Sequence, residues 1–226
     1  MKKILFIIMI FISSFCFSQE IDTSIFNAYK QSNIAEGGNC VSIALIKACF
    51  SKYGFKNIFN SIEKKDTIYN VVLKNNIKLS ITENQLSKAK ERAGFVLKDS
   101  TDFSLKFKEF SEFCFAVMCM KNKIDKKIDT YDAAITNLNS GYETKYAYKL
   151  LGVNFKRVKS KTARTKKLKH LVVYNTYHAV YASEGYYDES WNKETGINKL
   201  SNLKWKRFGY KCFWKLCTYK AYEIVD

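Results

Sequence analysis

The chain has 226 residues, a formal net charge of +17, and an aromatic content that includes 17 Phe and 15 Tyr. So many aromatic residues exclude a disordered polypeptide. Only two histidines are present, and no motif of clustered carboxylates and histidines accompanies them. We therefore expect neither a metal nor a cofactor, and a metal-dependent nuclease is disfavoured.

The first 18 residues have the three-part layout of a cleavable signal peptide. Two lysines precede an apolar run over residues 4–12, and the residues after this run are smaller and more polar. The run is too short to span a bilayer comfortably. We expect cleavage before Gln19 and a secreted or periplasmic protein whose mature part, 19–226, is one domain. The alternatives are a lipoprotein anchored at Cys16 and a buried N-terminal helix.

The first half of the mature chain has the period of amphipathic helices. Apolar residues recur at intervals of three and four after Asn39, a candidate N-cap, and Gly54 would end this helix. Thr82 and Gln85 have the spacing of a capping box. Further helices are expected at Thr82–Gly94, at about Leu105–Met120 and, with an interruption at 139–141, from about Thr130 to Gly152.

Short runs rich in Val, Tyr, Phe and Trp, which are typical of β-strands, occupy the second half. We expect strands at 171–174, 178–182, 186–188, 211–216 and 219–225, with a turn at Ser183–Gly185. Because a helical part (about 19–155) precedes a β-rich part (about 156–226), the sequence predicts an α+β fold rather than alternating α/β.

A dense run of basic residues without an acidic one extends from Lys156 to Lys169. It is expected to form an exposed loop or a charged edge, and it makes an anionic envelope surface a candidate partner of a monomeric protein. The run contains no aromatic residue for base stacking, so we expect no specific nucleic-acid binding. The simpler interpretation is a solvated basic surface without a partner.

Cys40 follows Gly38 and Asn39 and opens the first apolar helix. A thiol there lies against the positive end of the helix dipole and near unpaired backbone N–H groups, which favour the thiolate. The same N–H groups can bind an oxyanion. This predicts a nucleophilic Cys40 with a lowered pKa. The other interpretation is a packed core cysteine, which we adopt for Cys49, Cys114 and Cys119.

A cysteine nucleophile needs an imidazole partner, and the two candidates are His170 and His178. His170 follows the lysine-rich run and is expected to be exposed. His178 begins a β-type run, and the hairpin after it returns through Asp188, which we expect to orient the imidazole ring. Asn192 is the alternative third member, and Trp191 would shield the pair from water.

The segment Gly38-Asn39-Cys40, with His178 at a separation inside the roughly 130–150 residues typical of papain-type enzymes, resembles the papain-like cysteine peptidase superfamily. Bacteriocin-processing-like and transglutaminase-like relatives belong to the same group. The resemblance implies a papain-like fold, in which the Cys helix of an N-terminal helical lobe packs on a C-terminal antiparallel β-sheet. It also implies a secreted thiol protease or amidase that hydrolyses peptide, isopeptide or amide bonds of a peptide or protein substrate.

The oxyanion hole departs from the family pattern. The family usually has a Gln six residues before the nucleophile, but position 34 here is Ile. Gln31 and Asn39 are the nearest candidates for this role.

Two other functions fit the same sequence: a non-catalytic secreted basic binding domain with its cysteines in disulfides, and a cationic effector or toxin. Export permits disulfides, and the closely spaced pairs are Cys114–Cys119 and Cys212–Cys217.

Overall fold

The computed structural model describes residues 23–32, 38–165, 167–175, 178–188, 197–202 and 220–226. The α-helices in this part are α1 (Ser24–Asn27), α2 (Cys40–Asn57), α3 (Glu83–Ala93), α4 (Asp102–Asp125), α5 (Tyr131–Asn139) and α6 (Ser160–Thr165). Two 3-10 helices are Thr144–Leu150 and Leu200–Asn202. The first five strands are β1 (Tyr29–Gln31), β2 (Ser61–Lys65), β3 (Ile68–Val72), β4 (Lys78–Thr82) and β5 (Phe95–Leu97). The remaining strands are β6 (Asn154–Val158), β7 (Leu171–Tyr174), β8 (Ala179–Ser183), β9 (Tyr186–Asp188), β10 (Ile197–Lys199) and β11 (Lys220–Val225).

The largest sheet has the order β10-β9-β8-β7-β11-β6 among the described strands, and every neighbouring pair in it is antiparallel. Helix α2 packs across β8 and also contacts β7 and β11. Ala179 and Tyr181 join the core on the α2 side, whereas Val180 and Ala182 join a second cluster on the other face. This mixture of helices and antiparallel sheet is compatible with the sequence prediction of an α+β protein, and the helix that begins at Cys40 packs on the sheet.

Helix α2 begins at Cys40, with Asn39 in the N-cap position as predicted. The Asn39 side chain makes no capping hydrogen bond, and its amide is used elsewhere. Gly54 has φ 64° and ψ −169°, so it interrupts the helix where a stop was predicted, although helical turns continue to Asn57. Because the left-handed φ of Gly54 is easy only for glycine, the break is encoded at this residue.

The capping box that opens α3 is present as predicted. The Gln85 backbone N–H donates to Thr82 Oγ1 over 3.2 Å, and the Thr82 N–H donates to Gln85 Oε1 over 2.9 Å. Gly94 ends α3 with a left-handed φ of 62°. The next helix begins earlier than predicted because Thr101, four residues ahead of Leu105, caps it by accepting a 3.2 Å hydrogen bond from the Ser104 N–H, and it continues past Met120 to Asp125.

The prediction of a purely helical first half was wrong, because residues 61–82 form the antiparallel meander β2-β3-β4. Its turns use Asp66 and Asn76, both with left-handed φ, and Asx residues tolerate this conformation well. Leu79 and Ile81 alternate with exposed or half-buried residues along β4, which packs on α4. A second small pair, β1 with β5, was also missed.

Cys40, Cys49, Cys114 and Cys119 are free thiols, so the bridge that the spacing of Cys114 and Cys119 would permit is not formed, and the interpretation of Cys49, Cys114 and Cys119 as packed core cysteines is confirmed. Cys114 and Cys119 both lie on α4, where a five-residue step rotates the second side chain well away from the first. No helix in the described ranges is both long and apolar enough to cross a bilayer. The following predictions lie outside the described residues: the signal peptide and its cleavage site, the 211–216 strand, Cys212–Cys217, Trp191 and Asn192.

Candidate active site

The Cys40 side chain lies where the N-terminus of α2 meets the start of β8. Cys40 is 5% exposed, and its sulfur lies 3.9 Å from the Gly38 carbonyl oxygen. Backbone N–H groups of Ala179, Val41 and Cys40 itself are close enough to the sulfur to favour its thiolate. Ala179 directly follows His178 in the chain. The fold thus brings the predicted nucleophile beside the start of β8, the strand that directly follows the predicted base.

The predicted lowering of the Cys40 pKa was wrong. Burial raises the pKa of this thiol, and this outweighs the three backbone N–H groups that lower it. A buried thiolate loses its hydration, which a helix N-terminus replaces only in part. The resting side chain at neutral pH is therefore the thiol.

His178 is fixed at the base of the hairpin that joins β7 to β8. Its backbone N–H donates to Asn175 Oδ1 over 2.9 Å, and its carbonyl accepts from the Asn175 N–H over 3.0 Å. The side chain is buried, and burial lowers the pKa of the imidazole to about 4, against the opposing effect of Asp188. At neutral pH His178 is therefore uncharged and able to accept a proton.

Asp188 ends β9, the strand next to β8, and is almost fully buried. Its negative charge is close enough to raise the pKa of His178. The β8–β9 register pairs Ala182 with Tyr187, so its continuation places Asp188 level with Tyr181 rather than with His178. The strand that follows His178 and the strand that ends at Asp188 are neighbours, although β8 begins at Ala179 rather than at His178 as predicted, while the ring-orienting role of Asp188 stays a prediction.

The Asp188 carboxylate binds two lysines that the sequence analysis missed. Lys47 on α2 forms an ion pair with Oδ2, and Lys98, just after β5, donates to Oδ1 over 2.7 Å. Lys47 has no solvent exposure, and burial lowers its pKa to about 8 even though Asp188 acts in the opposite direction. A usable signal existed: Lys47 interrupts an otherwise apolar stretch of helix, seven residues or about two turns beyond Cys40.

The two predicted oxyanion-hole side chains are both buried, but they differ in what holds them. Gln31 ends β1, where it pairs with Phe95 of β5. Asn39 donates its amide Nδ2 to the Ala93 carbonyl at the end of α3, so part of its hydrogen-bonding capacity serves the packing of α3 on the start of α2. The donors that lie near the Cys40 sulfur are backbone N–H groups.

His170 lies apart from this arrangement and is half-buried, not exposed as predicted. Its Nδ1 is 2.8 Å from Ser51 Oγ on the C-terminal half of α2. Burial and the charges of Lys52 and Lys169 lower the pKa of His170 to about 4. The residue has a left-handed φ of 56°.

Comparisons of the chain with protein-family models, with curated proteins and with solved structures gave no match. The resemblance to papain-like peptidases therefore depends on the residues and motifs of this chain alone.

Proposed function

We propose that this protein is a thiol hydrolase in which Cys40 is the nucleophile and His178 the general base. The observation that carries the proposal is the contact of the Cys40 sulfur with the backbone N–H of Ala179, next to His178. Supporting it, both side chains are buried at the junction of α2 and β8, and Cys40 is a free thiol. Water is largely excluded there, which strengthens the electrostatic interactions on which such chemistry depends.

The protonation states favour a mechanism that starts from a neutral pair. His178 takes the Cys40 proton as the sulfur forms a bond to the carbonyl carbon of a peptide, isopeptide or amide. Backbone N–H groups at the start of α2 donate to the resulting oxyanion. The C–N bond then breaks, and the leaving amine takes the proton from His178. Water, deprotonated by His178, hydrolyses the thioester, which releases the carboxylic acid and restores the thiol.

In this proposal Asp188 is the third catalytic-site member, and it acts on His178 through its charge. Its support is the effect of the carboxylate on the His178 pKa and the position of β9 beside β8. Asn192 is the alternative, and a variant at each position separates them. An Asp188→Asn variant that keeps full activity while Asn192→Ala loses it would assign the role to Asn192.

The proposal includes export, because the N-terminal 18 residues have a signal-peptide layout. A peptide or protein in the envelope or outside the cell would then be the substrate.

A non-catalytic basic binding domain is the second candidate, and one observation favours it. Lys156 and Arg157 are exposed on β6, an edge strand of the largest described sheet, and Lys159 is exposed just beyond it. A basic edge of this kind attracts anionic surfaces. An anionic envelope surface is the partner that we propose under this alternative.

Hydrolysis assays on the mature protein test the proposal. Fluorogenic peptide, isopeptide and amide substrates are compared between the wild type and Cys40→Ser, with Cys49→Ser as the matched control on the same helix. We expect hydrolysis to fall at least 10³-fold in Cys40→Ser, as for loss of other catalytic nucleophiles, and to persist in Cys49→Ser. Equal activity of the two variants would refute the assignment.

A further inference from the structure

We propose that Lys47 and Lys98 are positioning residues for His178, on which they act through the Asp188 carboxylate. This inference rests on the proposed function for its catalytic meaning, but its physical content can be tested without any substrate.

The geometry of Lys47 fits a charged ammonium group. Its Nζ donates to the Asp188 carboxylate, to the Tyr29 carbonyl over 2.8 Å and to the Phe26 carbonyl over 3.4 Å. These three acceptors match the three donors of a protonated lysine. The ring of Tyr29 lies 4.7 Å from Nζ and adds a cation–π contact.

Lys98, from a different segment of the chain, binds the same Asp188 carboxylate. Its Nζ donates to the second carboxylate oxygen of Asp188 over 2.7 Å and to the Phe26 carbonyl over 2.9 Å. Both Asp188 oxygens are thus held, and one carbonyl accepts from both lysines. The cluster joins α1, β1, α2, the segment after β5 and the end of β9 in a single buried network.

This network fixes the position of the Asp188 carboxylate and also weakens the electrostatic effect of this carboxylate on His178. Asp188 on β9 acts on His178, while Lys47 from α2 and Lys98 after β5 oppose its charge. Cys40, at the N-terminus of the same α2, contacts the residue after His178. Removing one lysine would let the carboxylate favour the imidazolium form of His178 more strongly, and so raise the pKa of this base.

Two lysines on one carboxylate therefore have a definite consequence for the site. They weaken the effect of the Asp188 charge on the imidazole, and they hold β9 next to β8. A purely structural ion pair would stabilise the fold without any effect on the protonation of His178.

Imidazole titration by NMR tests this inference on the full mature chain. Because the chain has only two histidines, His170→Gln assigns the His178 signals, and His170 in the other variants is an internal control. We expect Lys98→Met to raise the His178 pKa by about half a unit or more, and Lys98→Arg, which keeps the positive charge, to leave it near the wild-type value. Asp188→Asn should move it in the opposite direction.

Lys98 is the preferred position for substitution because its side chain keeps some solvent contact. Replacing it is therefore expected to disturb folding less than replacing the fully buried Lys47. If Asp188→Asn fails to fold, the Lys98 pair alone decides the question. Equal His178 pKa values in Lys98→Met and Lys98→Arg would overturn the inference. That outcome is distinct from failure of the proposed function, which would be seen as hydrolysis that survives in Cys40→Ser.

Discussion

The ammonium group of Lys47 and the carboxylate of Asp188 form an ion pair in the protein interior, although 141 residues separate them in the chain. The pair connects the helix that begins at Cys40 with the strand next to β8. Removing one partner of a buried pair leaves an uncompensated charge, which is more costly than the pair itself is stabilising.

Lys98 still compensates the Asp188 charge when Lys47 is removed, so Lys47→Met is expected to lower the free energy of unfolding by about 1–3 kcal/mol, the cost of leaving a buried acceptor without its donor. Asp188→Asn should cost more, because it leaves the charges of both Lys47 and Lys98 without the carboxylate, and the double variant Lys47→Met/Asp188→Asn should recover part of that larger loss. Urea denaturation followed by circular dichroism measures these values. A single variant as stable as the wild type would contradict the contacts described for Lys47.

Substitution of Asn39 distinguishes a packing role of this residue from a catalytic one. Asn39→Ala removes the donor to the Ala93 carbonyl, and a buried carbonyl left without its partner costs about 1–3 kcal/mol. We expect this loss of stability together with hydrolysis that stays within a few-fold of the wild-type rate. Unchanged stability with a loss of hydrolysis greater than 10²-fold would instead assign Asn39 to the oxyanion hole. Gln31→Ala, assayed in parallel, tests the second candidate.

Acid should destabilise the fold through its histidines. Both have a folded pKa of about 4, below the ordinary value of 6.5, so the unfolded chain binds more protons between these two values. Stability is then complete above about pH 6.5 and is lost as the pH falls toward 4. Buried His178 accounts for roughly 3–4 kcal/mol of this loss, because its folded pKa of about 4 lies about 2.5 below 6.5 and each pKa unit corresponds to about 1.4 kcal/mol.

Thermal or urea unfolding of His178→Gln across pH 4–7 checks this assignment. The variant should show a flatter pH dependence than the wild type. His170→Gln should flatten it less, because His170 is only half-buried. An unchanged slope in His178→Gln would contradict the burial of its imidazole.

Gly152 is expected to tolerate no side chain. It has a left-handed φ of 67°, and a Cβ there would lie 2.5 Å from Asn75 Oδ1 and 3.0 Å from Leu73 Cβ. Gly152→Ala should therefore cost more than Gly141→Ala, which has φ 100° but meets no atom within 4 Å. A difference of about 1 kcal/mol or more in urea denaturation is expected. Equal losses would contradict the packing of Gly152 on the turn before β4.

The parts of the fold that the sequence predicts are those that depend on local signals. The α3 capping box and the strand 186–188 are examples, since each is encoded within a few residues. The β2-β3-β4 meander was missed because β2 is exposed along its whole length and has no apolar face to detect. Its turn residues Asp66 and Asn76 were the available signal.

The candidate site shows the same limit. The positions of Cys40 and His178 follow from local motifs, and the fold brings their elements together. The Cys40 pKa and the two lysines on Asp188 depend on burial and on contacts between distant segments. Local sequence contains the helix dipole but does not show how completely the neighbouring elements exclude water.

The rate at which iodoacetamide alkylates Cys40 tests the central claim most directly. Peptide mapping by mass spectrometry gives the rate for each cysteine in the wild type, in His178→Ala and in the control His170→Ala. The account predicts that Cys40 reacts fastest of the four described cysteines and that its rate falls at least tenfold in His178→Ala but not in His170→Ala. A Cys40 rate that is the same in all three proteins, or a disulfide formed by Cys40, would contradict it.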